Sequence, residues 1–566
     1  MLLSVIQEQL KSQIMAYNKD FLDVEFEFPQ DIKHGHLSTN VAMRYSKIVQ
    51  KSPRDLANEL INSLNLDFVE KIEVAGPGFI NFYFKAEVFT NSLKDNYTAV
   101  APAEVLDTVV VDYSAPNIAK PLGIHHVLST VIGQAVVNLM RAQNHKVIAW
   151  NYLGDWGTQF GKLLYAYKQW GDKSVIQQDP IGELLKLYVK FHDQAEKNPE
   201  LEDAGRLEFK KLEQKDPENL ALWEWIVELS KKDLAKVYQK LKGIQFDVYS
   251  GEADRESELR DIIKDGLAEG VFSLGEKNAI IADLSDQNMV PYIVQKSDGA
   301  TLYSTRDIAS VKHRIEQYGA NKLVYVVDTA QNFHFKQLFA VAPKFSWFKK
   351  DTKLEHLEFG RMTFADGKMS TRKGNILLLE TILDQAVAKA KAILLEKNPN
   401  FDPSTLDATA EIIGIGSIKY SVLSQAPETN ITFDWNKIIS FEGNAAPYLQ
   451  YSCARANSIL TQAGNIEGLE INLEYNLSEA ETELILEFLK FEHTVNIAAD
   501  KLRPNLLANY LYNLARSFNS FYVAHPILNN PDTNQKAVKL SITKSFQSIM
   551  KTGLDLLAGI EVPEKM

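Results

Sequence analysis

The sequence predicts a multidomain α/β protein whose central domain is an interrupted doubly wound sheet, with a small α/β domain before it and a helical domain after it. One strand, loop and helix run from Val109 to Gln134 in VVVDYSAPNIAKPLGIHHVLSTVIGQ. Short apolar strand-like stretches alternate with helical ones through the middle of the chain, the pattern of a parallel sheet covered by helices. The last third is rich in Leu, Ala, Asn, Tyr and Phe at helical spacing. At 566 residues the chain exceeds a single core, and roughly 100–200 residues per domain suggests three or four.

Composition narrows the class. A hydrophobic content of 45% with 24% charged residues is ordinary for globular chains and argues against long disorder. The net charge of −12 has the wrong sign for a protein that simply coats nucleic acid, so any RNA contact must gather Lys and Arg on one surface. A single Cys453 excludes an internal disulfide and a Cys-based zinc cluster, and fits a reducing cytoplasm. The opening MLLSVIQEQLKSQIMAY is broken by Glu8 and Lys11 too early for a signal-peptide core, and no apolar run could span a bilayer, so no membrane partner is expected.

Residues 1 to about 100 read as the small α/β domain. Leu2, Val5, Ile6, Leu10 and Ile14 mark an amphipathic helix, while VEFEFP and KIEVAGPGFINFYF alternate as strands around a Gly76-Pro77-Gly78 turn. His34-Gly35-His36 reads as a structural segment, and residues 101–106 as a linker. The central domain spans about 101–405. Its first strand ends VVVD at Asp112, and Leu128, Val131, Ile132, Ala135, Val136 and Leu139 recur at helical spacing behind the loop. Such a junction brings free backbone N–H groups and the positive end of a helix dipole to the carboxyl edge of a sheet, a natural phosphate site.

A second strand and Gly-rich loop follow in HKVIAWNYLGDWGTQFGKL, and a charged helical insertion over about 181–265 from which no catalytic residue is expected. AIIADL, PYIVQK and KLVYVV then read as further strands of the sheet, with TLYSTRDIA and VVDTAQNFHF near their ends. Tyr303 and Asp307, four apart, fall on one face if helical. Residues 406–566 read as helical. No G-x-x-x-x-G-K-[ST] loop is present, and Gly414-Ile415-Gly416-Ser417-Ile418-Lys419 lacks the third glycine of a dinucleotide fingerprint, so a P-loop ATPase and a Rossmann dehydrogenase are both disfavoured.

Taken in order, these motifs resemble those of the class I aminoacyl-tRNA synthetases, and within them the arginyl-tRNA synthetases. Ser114, Pro116, Asn117, Ala119 and Lys120 fit the family's S-x-P-N-x-A-K in register. The HIGH box that follows is written Gly123-Ile124-His125-His126, keeping the last histidine but placing Gly123 at the first and His125 at the box glycine, where a side chain is expected to crowd the adenine. Lys368-Met369-Ser370-Thr371-Arg372-Lys373-Gly374 resembles the mobile KMSKS loop with Thr371 in place of its second lysine. Residues 154–159, GDWGTQ, resemble a segment lining the amino-acid pocket. HGHLSTNVAM from His34 resembles the family's amino-terminal domain, and FEGNAAPYLQYSCARANSIL its helical anticodon-binding domain.

The resemblance implies a ligase that forms arginyl-adenylate from L-arginine and ATP, with Mg²⁺, and passes the arginyl group to the 2′-hydroxyl of the tRNA terminal adenosine, acting as a monomer. It assigns His126, Lys120, Lys368, Arg372 and Lys373 to the phosphates, and Gly123, His125, Met369 and Ser370 with His126 to ATP. Asp112, Ser114, Asn117, Tyr303, Asp307 and Gln331 are assigned to arginine, Asp112 meeting the α-ammonium and Asn117 the carboxylate end. Asn81 and Phe84 are assigned to a splayed tRNA base, and Tyr448, Gln450 and Arg455 to the anticodon region, Phe84 being equally well read as core. The chemistry favours Asp307 for a guanidinium, whose planar fork a carboxylate accepts in parallel. Standing alone, the segment leaves open a second, less favoured reading of Asp307 in a surface charge cluster with Arg306. The altered box motivates an alternative, a tRNA-binding paralogue that has lost activation.

Overall fold

The computed structural model describes residues 2–17, 24–29, 31–94, 107–364, 378–464 and 475–566. The expected linker at 101–106 and the segment carrying Lys368, Met369, Ser370, Arg372 and Lys373 lie outside them. The amino-terminal region folds as the alternation predicts. Helix Leu2–Met15 buries Ile6, Leu10 and Ile14, and an antiparallel four-stranded sheet runs in the order Phe26–Glu27, Leu37–Thr39, Phe79–Phe84 and Val69–Ala75.

The central sheet has five parallel strands in the spatial order Lys353–Phe359, Lys322–Asp328, Thr108–Asp112, Lys146–Leu153 and Val248–Gly251. The three valines before Asp112 are fully buried, as expected of β-branched residues in a strand covered on both faces. Behind the loop, helix His126–Ala142 is buried on nearly every side. It lies between the sheet and the carboxy-terminal helices Pro403–Leu423, Glu479–Asp500, Pro504–Ala524 and Thr533–Leu556. That position explains its all-round apolar sequence. Gly133 on this helix meets Tyr113 so closely that a Cβ would stand 2.3 Å from the ring, a contact only glycine permits.

Two strand assignments differ from the expectation. Ile280–Ala282 and Tyr292–Gln295, expected within the central sheet, instead pair antiparallel with each other and with Ser273–Leu274 as a separate three-stranded sheet. The nine residues joining them contain no crossover helix, which a parallel neighbour would need. Conversely, Val248–Gly251 falls inside the stretch expected to be helical insertion and yet pairs with Lys146–Leu153 in the central sheet. Four residues are too few to carry a periodicity of their own.

The Gly414–Lys419 stretch lies inside helix Pro403–Leu423, where Lys419 is buried. Its amine donates to the carbonyls of Lys242 and Ala558 at 2.8 Å and of Gly559 at 3.2 Å, tying the central domain to the carboxy-terminal tail.

Candidate active site

The strand order places a reversal between Thr108–Asp112 and Lys322–Asp328, so the crevice at their carboxyl ends is where this class of sheet binds ligands. The loop leaving Asp112 is tightly constrained. Ser114, Ala115 and Ala119 all hold positive φ, conformations that side chains other than glycine adopt at a cost. Ser114 is locked: its N–H donates to Ser129 Oγ at 2.9 Å, and its hydroxyl lies 2.8 Å from both Thr130 Oγ1 and Tyr238 OH. The serine shapes the loop from inside. Tyr238, on the insertion helix Pro217–Leu241, thus supports the site from a stretch expected to contribute nothing. Asn117 is exposed and bridges Gly154, where a Cβ would stand 2.4 Å from Asn117 Oδ1. The glycine of GDWGTQ therefore leaves room for the asparagine. Lys120 is half-buried, its amine 5.3 Å from the centre of the Tyr188 ring.

At the helix start, Gly123 N–H donates to His126 Nδ1 at 3.0 Å, which assigns the hydrogen to Nε2. Burial, then the neighbouring His125, pushes His126 down to about 4, so the imidazole is neutral near pH 7 and offers one N–H donor beside the helix's positive end. His125 has ordinary helical backbone, φ −64° and ψ −25°, and its exposed ring lies 4.0 Å from that of His126. Nothing in the backbone demands glycine there. Gly123 also pairs with Leu378, the first described residue after the segment bearing Lys368 to Lys373.

The other end of the crevice is acidic. Tyr303 and Asp307 stand one turn apart at the start of helix Tyr303–Tyr318, as their spacing predicts. Tyr303 is 60% exposed, and Asp307 Oδ2 lies 2.6 Å from His334 Nε2. Arg306 does not join Asp307 in a surface cluster; it turns to Glu256, with Nη2 at 2.7 Å and Nε at 3.2 Å from one oxygen. Glu252, also within the supposed insertion, is pushed up to about 7 by burial, with Arg306 opposing and Asp307 and Asp155 adding to the rise. Burial likewise raises Asp155 to about 6.

Asp112 is buried and ion-paired to Arg314 at 2.5 Å; burial raises its carboxyl, Arg314 works against that, and Asp307 adds to it. Arg314 sits seven residues after Asp307 on the same helix face, its guanidinium within 4.9 Å of the Trp150 ring centre and 5.3 Å of that of Tyr325. Gln331 is exposed in the short turn Thr329–Gln331 at the end of the adjoining strand. The structure therefore gathers Asp112, Asn117, Tyr303, Asp307, Gln331, His125 and His126 along one sheet edge, and adds Glu252, Arg314 and His334.

The residues expected to meet tRNA divide differently. Along Phe79–Phe84 alternate side chains face opposite ways, so Asn81 shares its face with Phe79 and not with Phe84. Phe84 is buried against His36 and Phe68, which assigns it to the core. Phe79 and Asn81 instead line an open groove of about 530 Å³ together with His34, Ser38, Gly76 and Pro77. Gln450 is fully buried and donates to the carbonyls of Glu561 at 2.8 Å and Ile412 at 3.2 Å; it clamps the tail and is out of reach of RNA. Arg455 lies between the exposed rings of Tyr451 and Tyr522, 4.9 and 5.1 Å from their centres, and bonds Asn519 at 2.8 Å. Asn519 also donates to the Tyr448 hydroxyl at 3.1 Å. Glu252, His334 and Arg314 escaped the sequence reading because their partners are remote in sequence or two turns away. Phe79 was legible, since period-two alternation selects it over Phe84.

Three family models match the chain in order: "Arginyl tRNA synthetase N terminal domain" over residues 2–84, "tRNA synthetases class I (R), catalytic domain" over 89–435, and "DALR anticodon binding domain" over 449–566. The arginine–tRNA ligase of Clostridium botulinum is 40% identical over 565 residues, 99% of each chain, and that of Fusobacterium nucleatum 40% identical over 97% of this chain and 96% of its own. Among solved structures, the arginyl-tRNA synthetase of Thermus thermophilus superposes with a TM-score of 0.85 over the full length of both chains at 24% identity. That of Plasmodium falciparum gives 0.82 over 100% of this chain and 99% of its own, also at 24%. With the crevice, its acidic end and its histidine-bearing helix start in place, and with relatives matched end to end, the chain belongs to the arginyl-tRNA synthetase family.

Proposed function

We propose that this protein is an arginine–tRNA ligase that activates L-arginine with ATP and esterifies it to the 2′-hydroxyl of the tRNA terminal adenosine. The reading is carried by one observation: two carboxylates close enough for one charge to act on the other, Asp307 and Glu252, stand at the same sheet edge as a neutral histidine at a helix start. The guanidinium is a planar fork of five donors, which Asp307 accepts while Glu252 balances its charge and the Tyr303 ring covers it. Citrulline, lacking the charge, leaves the half-buried Asp307 carboxylate without a cation to accept from. Asp112 receives the α-ammonium, held in place by Arg314, and Asn117 steadies the carboxylate that attacks the α-phosphate.

No protein nucleophile is needed for this in-line transfer, because alignment and charge stabilisation carry it. His126 donates Nε2–H toward the phosphates without bringing a full charge. Lys120, Lys368, Arg372 and Lys373 neutralise the departing pyrophosphate, with Met369 and Ser370 in the same loop on the nucleotide. Among the described residues no group of three or more His, Cys, Asp or Glu side chains converges to hold a metal. The Mg²⁺ expected with ATP would supply further positive charge to the phosphates beside Lys120. Asn81 with Phe79, and Arg455 with Tyr451, offer stacking and hydrogen-bonding surfaces to unpaired tRNA bases.

On this reading the enzyme acts as a monomer in the cytoplasm, where tRNA is charged; among the described residues no helix is long and apolar enough to cross a membrane. The intact helical backbone at His125 and His126 gives no support to a paralogue that has lost activation. Arginine-dependent ATP–pyrophosphate exchange and tRNA charging test the reading. Exchange in the presence of tRNA is the expected result; no exchange with or without tRNA overturns it.

A further inference from the structure

The Asp307 carboxylate is bonded to a histidine 27 residues away in sequence, at 2.6 Å. His334 is built into its place. Its side chain is 13% exposed, and three rings surround it: Tyr303 at 4.8 Å between centres, Phe335 at 5.4 Å and Tyr292 at 5.6 Å. Its helix, Asn332–Val341, is pinned by Gln337, whose amide donates to the Val290 carbonyl at 2.7 Å. An ionised carboxylate can only accept, so the nitrogen facing Asp307 carries the hydrogen whichever charge the ring holds.

That bond occupies one acceptor direction on Oδ2. A carboxylate has about four in all, so Oδ1 and the second direction on Oδ2 stay open for a guanidinium. A fork-to-fork contact requires both oxygens in the plane of the incoming cation, and recognition sites need such groups held to about 10–20°. Arg306 engages Glu256 and does not hold Asp307. Tyr303, mostly exposed, packs tilted at 59° against the same imidazole, so one histidine contacts both the carboxylate and the ring assigned to the substrate.

We propose that His334 is the positioning residue of arginine recognition: by donating Nε2–H to Oδ2 and backing the Tyr303 ring, it sets the plane of the Asp307 carboxylate and remains bonded to it when arginine is bound. The inference rests on the assignment of Asp307 to the guanidinium. A histidine that merely filled space would affect stability without regard to the hydrogen bond, and one that competed with substrate would hold arginine out.

The test is tRNA charging by the full-length enzyme at varied arginine concentration, with the variants His334→Gln, His334→Asn, His334→Ala and Asp307→Asn and a thermal unfolding curve for each. The Gln amide nitrogen reaches the place of Nε2 and the shorter Asn does not. Loss of a hydrogen bond to a charged group predicts an arginine KM raised about tenfold or more in His334→Asn and His334→Ala, with kcat and the ATP KM within about twofold of the parent and most of the loss restored in His334→Gln. Equal KM values in the Gln and Asn variants, a lower arginine KM in His334→Ala, or a fall confined to kcat overturns the proposal. The Gln–Asn comparison decides the matter even if the Ala variant does not fold. An Asp307→Asn variant with unchanged arginine KM removes the pocket assignment beneath it; a large Asp307 effect beside a flat His334 series removes this proposal alone.

Discussion

On the proposed reading, the two ends of the crevice recognise their ligands by different physics. The arginine end is made of side chains already engaged with one another: Asp112 with Arg314, Asp307 with His334, and Glu252 close enough to feel the charge of Asp307 in a site that burial makes costly for charge. The nucleotide end is made of backbone and a helix start, with one neutral imidazole hooked to its own loop and the cationic segment of Lys368 to Lys373 supplied from elsewhere in the chain. A fixed planar cation can be met by a prebuilt acidic pocket. A triphosphate whose charge moves as it reacts is better met by donors and cations that close over it.

If the ends divide the work in this way, variants should separate them cleanly. The largest effect is expected at Asp307. Replacing the carboxylate in Asp307→Asn should cost on the order of 3–5 kcal/mol of transition-state stabilisation, roughly two to four orders of magnitude in kcat/KM for arginine, with the ATP KM nearly unchanged. Steady-state charging assays read both. An ATP KM that rises in step would erase the division. At the opposite end, His126→Ala removes one donor to the phosphates and should lower kcat by roughly 10–100-fold while leaving the arginine KM close to the parent value. Pyrophosphate exchange at saturating arginine measures it directly.

The tRNA surfaces form a third region independent of both ends. Loss of one stacked base is worth about 1–3 kcal/mol, so Phe79→Ala should raise the tRNA KM by roughly tenfold with arginine and ATP unaffected. Phe84→Ala should instead lower the unfolding temperature, because Phe84 is core. Charging kinetics and thermal melts distinguish the two aromatics.

A pH profile sharpens the contrast further. Burial pushes Glu252 up to about 7, and a guanidinium beside it would favour its ionised form. Below that value a proton must leave before arginine binds, so the arginine KM should rise as pH falls through 7, approaching about tenfold per pH unit, and level off above it. Glu252→Gln should flatten that slope. His126, already neutral down to about pH 4, contributes no slope in this range. The smallest effect is expected at the altered box position: His125→Gly removes an exposed side chain on ordinary helical backbone and should change the ATP KM by no more than about twofold. A gain of an order of magnitude would show that the histidine does crowd the nucleotide.

What could be read in the sequence follows the same division. Val109 to Gln134 was legible because buried valines, a constrained loop and a helix are all local properties. Tyr303 and Asp307 were legible because four residues make one helical turn. His334 was not, since nothing local ties it to Asp307, and neither was Glu252, which sits after a four-residue strand hidden in a charged helical stretch. Ile280–Ala282 and Tyr292–Gln295 were recognised as strands but placed in the wrong sheet, because periodicity reports that a strand exists and pairing decides where it belongs. Gln450 was misassigned for a related reason: its partners are carbonyls 38 and 111 residues away.

The central claim is that one crevice grips a planar cation with Asp307 and Glu252 while a neutral histidine helix start meets the phosphates. A crystal structure with L-arginine and a non-hydrolysable ATP analogue measures it most directly. The account predicts the guanidinium within hydrogen-bonding distance of the Asp307 carboxylate and the α-phosphate beside His126 Nε2. Arginine bound away from Asp307, or the two ligands on separate surfaces, would contradict it.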